Sequence, residues 1–332
     1  MKNTYAFNKE LIQECKPSLS YGSQDFATWQ ATAKQQLRQL LGLDKFHKCD
    51  PAVEIEYEQA LDNATEIRFS FQSEEGYRIP CHLLLPHGIE KPPVMVCMQG
   101  HAMGMHLSLA RLKFPCDEED LAGDRDYCLR AVKEGFAAVA IELRNFGELS
   151  CNNYLPQCFE SSMTALLMGR TTAGERVWDF ARLLDVLETH FSHWIDTDTI
   201  CCMGNSGGGT AVAYVAALED RVKLAMPSCA MCTYKDSIGA MNHCACNYIP
   251  GIANYFDMGD LMAMACPKYF VQVNGAQDTI FPIEGAKKVF TDGQKAYEDN
   301  GAANHCVHVI GEGDHRFYAD LAWPHVHNLL GK

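Results

Sequence analysis

Ser206 stands among glycines, in the stretch Gly204-Asn205-Ser206-Gly207-Gly208-Gly209. A short apolar run at 200–203 precedes it, and an alanine-rich stretch of helical composition follows. The G-x-S-x-G spacing at a strand-to-helix turn is what an exposed nucleophilic serine requires. Bulky neighbours would collide with the strand or the helix, and the helix N-terminus offers free amides and positive dipole charge to a developing anion. A phosphate-binding turn is the competing reading, but neither G-x-G-x-x-G nor a Gly-Lys-Ser/Thr ending is present.

A serine hydroxyl is a weak nucleophile at neutral pH unless a base takes its proton, and the base needs a carboxylate to orient it. On a parallel sheet both belong past the ends of later strands, in the order serine, acid, histidine. Asp278, in VQVNGAQDTIFP, and His315, in VHVIGEGDHRFY, occupy such places. The rival groups fit less well. His305 and His308 fall in or beside a strand, His325 and His327 lie in the closing helix, Asp314 adjoins His315 too closely to reach around its ring, and Asp260 lies in the inserted region. An oxyanion needs two donors. One is the backbone N–H of Gly207; the other comes from the loop of VMVCMQGHAMGMH, where Gly100 lets the chain turn and His101, or else Ala102, presents its amide.

The elements that would hold these groups follow from the apolar pattern. Residues 27–43 have helical spacing and end at Gly42, and three extended stretches beginning at Val53, Thr65 and Tyr77 read as antiparallel strands along one sheet edge. Continuous apolar strands at 94–100, 136–143, 196–204, 222–229, 268–275 and 305–313 alternate with helical segments near 124–134, 174–190, after Ser206, 283–300 and 317–330, where Pro324 marks a break or bend. Strands buried on both faces between helices imply an α/β fold, a mostly parallel central sheet of about eight strands with helices on each side. The organisation expected is an N-terminal helical extension at 1–50 and a single domain at 51–332, with an inserted, lid-like region at about 229–265.

The formal net charge of −14 argues against a nucleic-acid or anionic-membrane partner. No apolar run reaches the ~18 residues that span a bilayer, and the first residues lack the apolar core of a signal peptide, so a cytoplasmic protein is expected. The sixteen cysteines then read as reduced thiols. Cys229 and Cys232, with His243, Cys244 and Cys246, have spacing that a zinc site could use, but packing of buried thiols is the preferred reading, and no metal is expected. Met103, Met105, Met226, Met231 and Met241 cluster by sequence near the loops expected to border the site, as an acyl pocket or as core filling.

With QGH, GNSGGG, Asp278 and His315 in place, the sequence resembles the α/β-hydrolase superfamily, in its dienelactone-hydrolase-like and acetyl-xylan-esterase-like bacterial branch. The resemblance runs over residues 77–315 and includes LRNFGE, GRTTAGERVWDFARLLDVLE and HCACNYIPGI. It implies an α/β-hydrolase fold and hydrolysis of a small carboxylic ester, such as an acetylated carbohydrate, through an acyl-serine, without metal or organic cofactor. The chain departs from better characterised acetyl xylan esterases in carrying Gly207, not glutamine, after the serine. A peptidase or a lactone hydrolase would use the same triad, and a non-catalytic or zinc-structured binding protein would need none of it. Oligomeric state is not legible in the sequence.

Overall fold

A computed structural model describes residues 1–22 and 24–331. Nine strands form one sheet in the order β1-β2-β3-β5-β4-β6-β7-β8-β9. They are β1 (Glu54–Ala60), β2 (Ala64–Glu74), β3 (Tyr77–Pro86), β4 (Pro93–Met98), β5 (Ala137–Ile141), β6 (Asp196–Asn205), β7 (Val222–Ser228), β8 (Tyr269–Gly275) and β9 (Cys306–Gly311). The first three strands and β5 pair antiparallel, and from β5 to β9 every pairing is parallel. β4 and β5 are buried along their whole length, which is why their sequences are apolar without alternation. Edge strand β1 is exposed at every position, with acidic residues at three of seven, a composition that discourages edge-to-edge pairing.

Two apolar layers cover the sheet. On one face the helices Thr172–Val186, Gly207–Leu218, Met258–Ala265 and Ile283–Asp299 pack over Ile67, Val96, Val139 and Cys202. On the other, Tyr127–Lys133 and Ala319–Leu330 pack over Met95, Ala138, Met203 and Val271. The last helix runs through Pro324 without ending there, so of the break or bend expected at that position the break is absent. Three of the five methionines are core filling: Met105 and Met226 belong to the second layer and Met231 to the first.

The N-terminal segment carries two helices. Phe26–Leu40 buries Trp29, Ala33 and Leu37, one stripe at i, i+4 and i+8, and Asp25 caps it by accepting from the Thr28 amide at 2.9 Å. Thr4–Glu14 has no fully buried residue, and the sequence pattern gave no sign of it. The region at 229–265 is mostly irregular, as its lack of period suggests, but ends in the helix Met258–Ala265, fastened by an Asp257–Asp260 capping box.

Strand order decides where a site can form. After β4 the chain crosses to β5 on one side, and it later returns to place β6 on the other. The connections therefore diverge at the carboxyl ends of β4 and β6 and leave a crevice there, the usual ligand position in an open α/β sheet. β4 leads into Gly100 and His101, and β6 leads into Ser206.

Candidate active site

Ser206 follows the last residue of β6 with φ 55° and ψ −120°, a conformation a residue with a Cβ rarely adopts. Its amide donates to the Ser228 carbonyl at 2.9 Å, and its carbonyl accepts the first helical bond, from Thr210, at 2.9 Å. The turn is this tight because the helix lies against β4. A Cβ on Gly208 would stand 2.0 Å from the Met98 carbonyl oxygen, and one on Gly204 would stand 2.6 Å from the Gly208 backbone. The glycines of G-x-S-x-G are therefore demanded by backbone contact, and the serine hydroxyl is left facing the crevice.

Gly207 answers to a side chain instead. A Cβ there would lie 2.7 Å from Cε1 and 2.8 Å from Nδ1 of His101. The imidazole of the β4 loop thus occupies the space that a side chain after the nucleophile would fill, so a glutamine here would require that ring to move. The Ala102 amide donates to the Gly100 carbonyl at 2.9 Å, so of the two candidates on this loop the His101 amide is the one left for an oxyanion. As the first residue of its helix, Gly207 has an N–H with no intrahelical acceptor.

Asp278 and His315 are brought together. Nδ1 of His315 lies 2.8 Å from Oδ2 of Asp278, whose other oxygen accepts from the amides of Ile280 at 2.8 Å and Phe281 at 3.0 Å. Burial would push the Asp278 carboxyl up, but the His315 hydrogen bond and the two amides prevail and hold it below its ordinary value. Phe281 stacks on the His315 ring at 5.9 Å and fixes its plane. His315 and Ser206 line one cavity of about 280 Å³, together with Gly100, His101, His243 and Ile280.

Four of the rival groups are occupied elsewhere. His308 meets Asn274 Oδ1 at 3.0 Å, His305 meets the Pro267 carbonyl at 2.7 Å, and His327 meets Glu134 at 2.7 Å. Asp260 accepts from the amides of Tyr21 and Asp257, both at 2.8 Å. Cys229, beside Asp278 and His315, gives its thiol proton to the Arg316 carbonyl at 3.2 Å; burial and then the Asp278 charge push it up to about 12, so it stays an inert thiol.

Two groups, Arg125 and Glu142, escaped sequence reasoning, and His243 entered it only as a candidate zinc ligand. Arg125 reaches the cavity rim while paired with Asp120 at 2.5 Å. His243 lines the cavity and is lowered to about 4 by burial, then by the nearby His101, so it remains neutral. Glu142 lies fully buried beneath the His101 loop, joined to the Gln99 side chain and accepting from the amides of Met105 at 3.1 Å and Glu148 at 3.2 Å. Only Glu142 had a sequence signal, a lone acid ending the apolar strand of FAAVAIEL.

Comparison with known proteins gives a consistent picture. The model of the Abhydrolase family matches residues 2–305. YtaP, a candidate hydrolase of Bacillus subtilis (strain 168), is 26% identical over 155 residues, which are 46% of this chain and 51% of YtaP. The chain thus aligns with about half the length of that curated relative. Among solved structures, a candidate acetyl xylan esterase from Bacteroides fragilis NCTC 9343 superposes with a TM-score of 0.77 at 16% identity, covering 93% of this chain and 82% of its own. A glucuronoyl esterase from Solibacter usitatus gives a TM-score of 0.68 at 14% identity, covering 96% and 97%. At such identities these likenesses speak for the fold.

Proposed function

The chain belongs to the Abhydrolase family, and from that premise we propose that it is a serine carboxylesterase, hydrolysing a small acyl ester of a carbohydrate through an acyl-serine. The observation that carries this reading is the Asp278–His315 hydrogen bond opening onto the same cavity as the strained Ser206. The names of the structural neighbours, acetyl xylan and glucuronoyl esterases, support the carbohydrate ester as substrate class. The cavity is of a size to take a short acyl group and part of a sugar.

The hydroxyl of Ser206 gives its proton to Nε2 of His315 while Oγ attacks the ester carbonyl carbon. The carbonyl oxygen becomes an oxyanion between the amides of Gly207 and His101. Asp278 holds Nδ1–H and stabilises the imidazolium. When the intermediate collapses, the carbon–oxygen bond to the alcohol breaks and the alcohol leaves with the proton from His315. Water repeats the sequence on the acyl-serine, releasing the carboxylic acid and restoring the hydroxyl.

The test is Ser206→Ala with p-nitrophenyl acetate and with acetylated xylo-oligosaccharides. Turnover falls on the order of 10⁶-fold, and a fluorophosphonate that labels the native chain at Ser206 leaves the variant unlabelled. Retention of most activity by the folded variant would refute the assignment. Lactone and aminoacyl-amide substrates run beside the esters separate this reading from a lactone hydrolase or peptidase with the same triad.

A further inference from the structure

The insertion reaches across the cavity to the β4 loop through sulfur. Sγ of Cys246 lies 3.3 Å from Nε2 of His101 and 3.3 Å from Sγ of Cys244. Cys158, the residue before the helix Phe159–Leu167, completes the group, and one ligand atom from each of the four lies within 4.8 Å of all the others. We propose that His101, Cys158, Cys244 and Cys246 form a tetrahedral zinc site that ties the inserted region to the loop carrying the proposed oxyanion donor.

Donor chemistry and spacing both fit. Three soft thiolates and one imidazole form a donor set suited to zinc, and Zn–S bonds of about 2.3 Å set tetrahedral edges of about 3.8 Å, close to the separations found. A disulfide needs about 2.05 Å between sulfurs and would leave an imidazole and a third thiol converging on nothing. The sequence spacing suggested a different set, Cys229 and Cys232 with His243 and the C-x-C pair. The fold sends those two elsewhere, Cys229 to the Arg316 carbonyl and Cys232 toward the Pro282 carbonyl, and supplies His101 and Cys158 in their place.

Charge gives an independent argument. Arg176 is 2% exposed, lies over the Phe146 ring at 4.4 Å, and has no carboxylate partner among the described residues. Its guanidinium donates to the Arg144 carbonyl at 3.2 Å, and the thiols of Cys246, Cys158 and Cys244 are the titratable groups beside it. With neutral thiols this buried cation would be met by a carbonyl and an aromatic face but by no opposite charge, which is costly. Zinc with three thiolates and a neutral imidazole carries one net negative charge and balances it. All four positions are filled by the protein, so the zinc holds structure and leaves no place for a reacting water. It also fixes the His101 ring in the position that excludes a side chain from Gly207.

Elemental analysis of the full chain, purified without chelator under reducing conditions, should find about one zinc per chain. Cys158→Ser and Cys246→Ser should each lose it, and Cys151→Ser, which changes an exposed thiol, should keep it. Because a ligand variant that failed to fold would also lose metal, cobalt(II) exchanged into the native chain supplies a second reading. The thiolate-to-cobalt charge-transfer band and tetrahedral visible absorption are expected. The proposal is overturned by native protein that takes up neither zinc nor cobalt, by a Cys244–Cys246 disulfide in metal-free protein, or by folded ligand variants that keep full metal content. None of these readouts uses esterase activity, so either proposal can fail without the other.

Discussion

At the scale of single residues, the contact between Gly207 and His101 makes the sharpest demand. A methyl group at 207 would press within 2.8 Å of an imidazole that is packed edge-on against Phe146 at 4.8 Å and held by Cys246, so the ring has little room to yield. Gly207→Ala is therefore expected to displace the His101 loop and with it one proposed oxyanion donor, lowering kcat for acetate esters by roughly 10²-fold with secondary structure unchanged. Steady-state kinetics and circular dichroism check this, and an unaltered kcat would mean the loop adapts freely. This constraint was invisible in the sequence. GNSGGG showed that the turn was tight, but not that a histidine 106 positions earlier filled the space beside it. Ser206, Asp278 and His315 were legible because each follows a strand whose apolar run marks its own end. Arg125, His243 and Cys158 come from loops without period, and nothing local announces where a loop will point.

At the scale of elements, the carboxyl ends of β4 and β5 are bound together by Glu142. Its carboxyl joins the Gln99 side chain after β4 and the Met105 and Glu148 amides of the two following loops. Burial raises it from the ordinary 4.5 to about 8, the Glu148 charge adding to the shift while the amides and Arg68 oppose it. The sign follows directly. Between pH 4.5 and about 8 the unfolded chain releases this proton and the folded chain keeps it, so the unfolded state binds fewer protons and stability declines as pH rises. One such group gives a slope of up to about 1.4 kcal/mol per pH unit. Urea unfolding of the native chain across that window is expected to show a decline, and Glu142→Gln to remove this group's share of it, at the cost of an acceptor for the Glu148 amide. Equal pH slopes in the two proteins would show that Glu142 is ionised in the fold. Strand and helix identities were readable because the sheet is buried on both faces and the helices on one. Loop chemistry of this kind was not, because it depends on which strand ends become neighbours.

At the scale of the whole molecule, the N-terminal segment and the insertion form one clasp. The amides of Ser18 and Leu19 donate to the carbonyls of Asn254 at 2.9 Å and Tyr255 at 3.0 Å, and the Tyr21 amide and Ser20 hydroxyl both donate to Asp260. Trp29 closes the corner by donating its indole N–H to the Leu19 carbonyl at 2.8 Å. A segment that the sequence resemblance did not reach, but that lies within the family match over residues 2–305, thus holds the region that carries His243 and Cys244 to the cavity wall. Among the described residues no helix is long and apolar enough to cross a membrane. Asp260→Ala removes both the N-terminal contacts and half of the capping box, and leaves the half-buried amides of Tyr21 and Asp257 without acceptors. The expected loss is about 2–4 kcal/mol, seen as a Tm lower by several degrees. If the clasp positions the insertion, proteolysis should then cut first within 229–257, and KM for sugar esters should rise more than kcat falls, because Ser206, Asp278 and His315 stand on strand ends that the clasp does not touch. Lower stability with cleavage spread evenly over the chain would instead make Asp260 a local helix cap, and the two helices of the N-terminal segment a cover for the core alone.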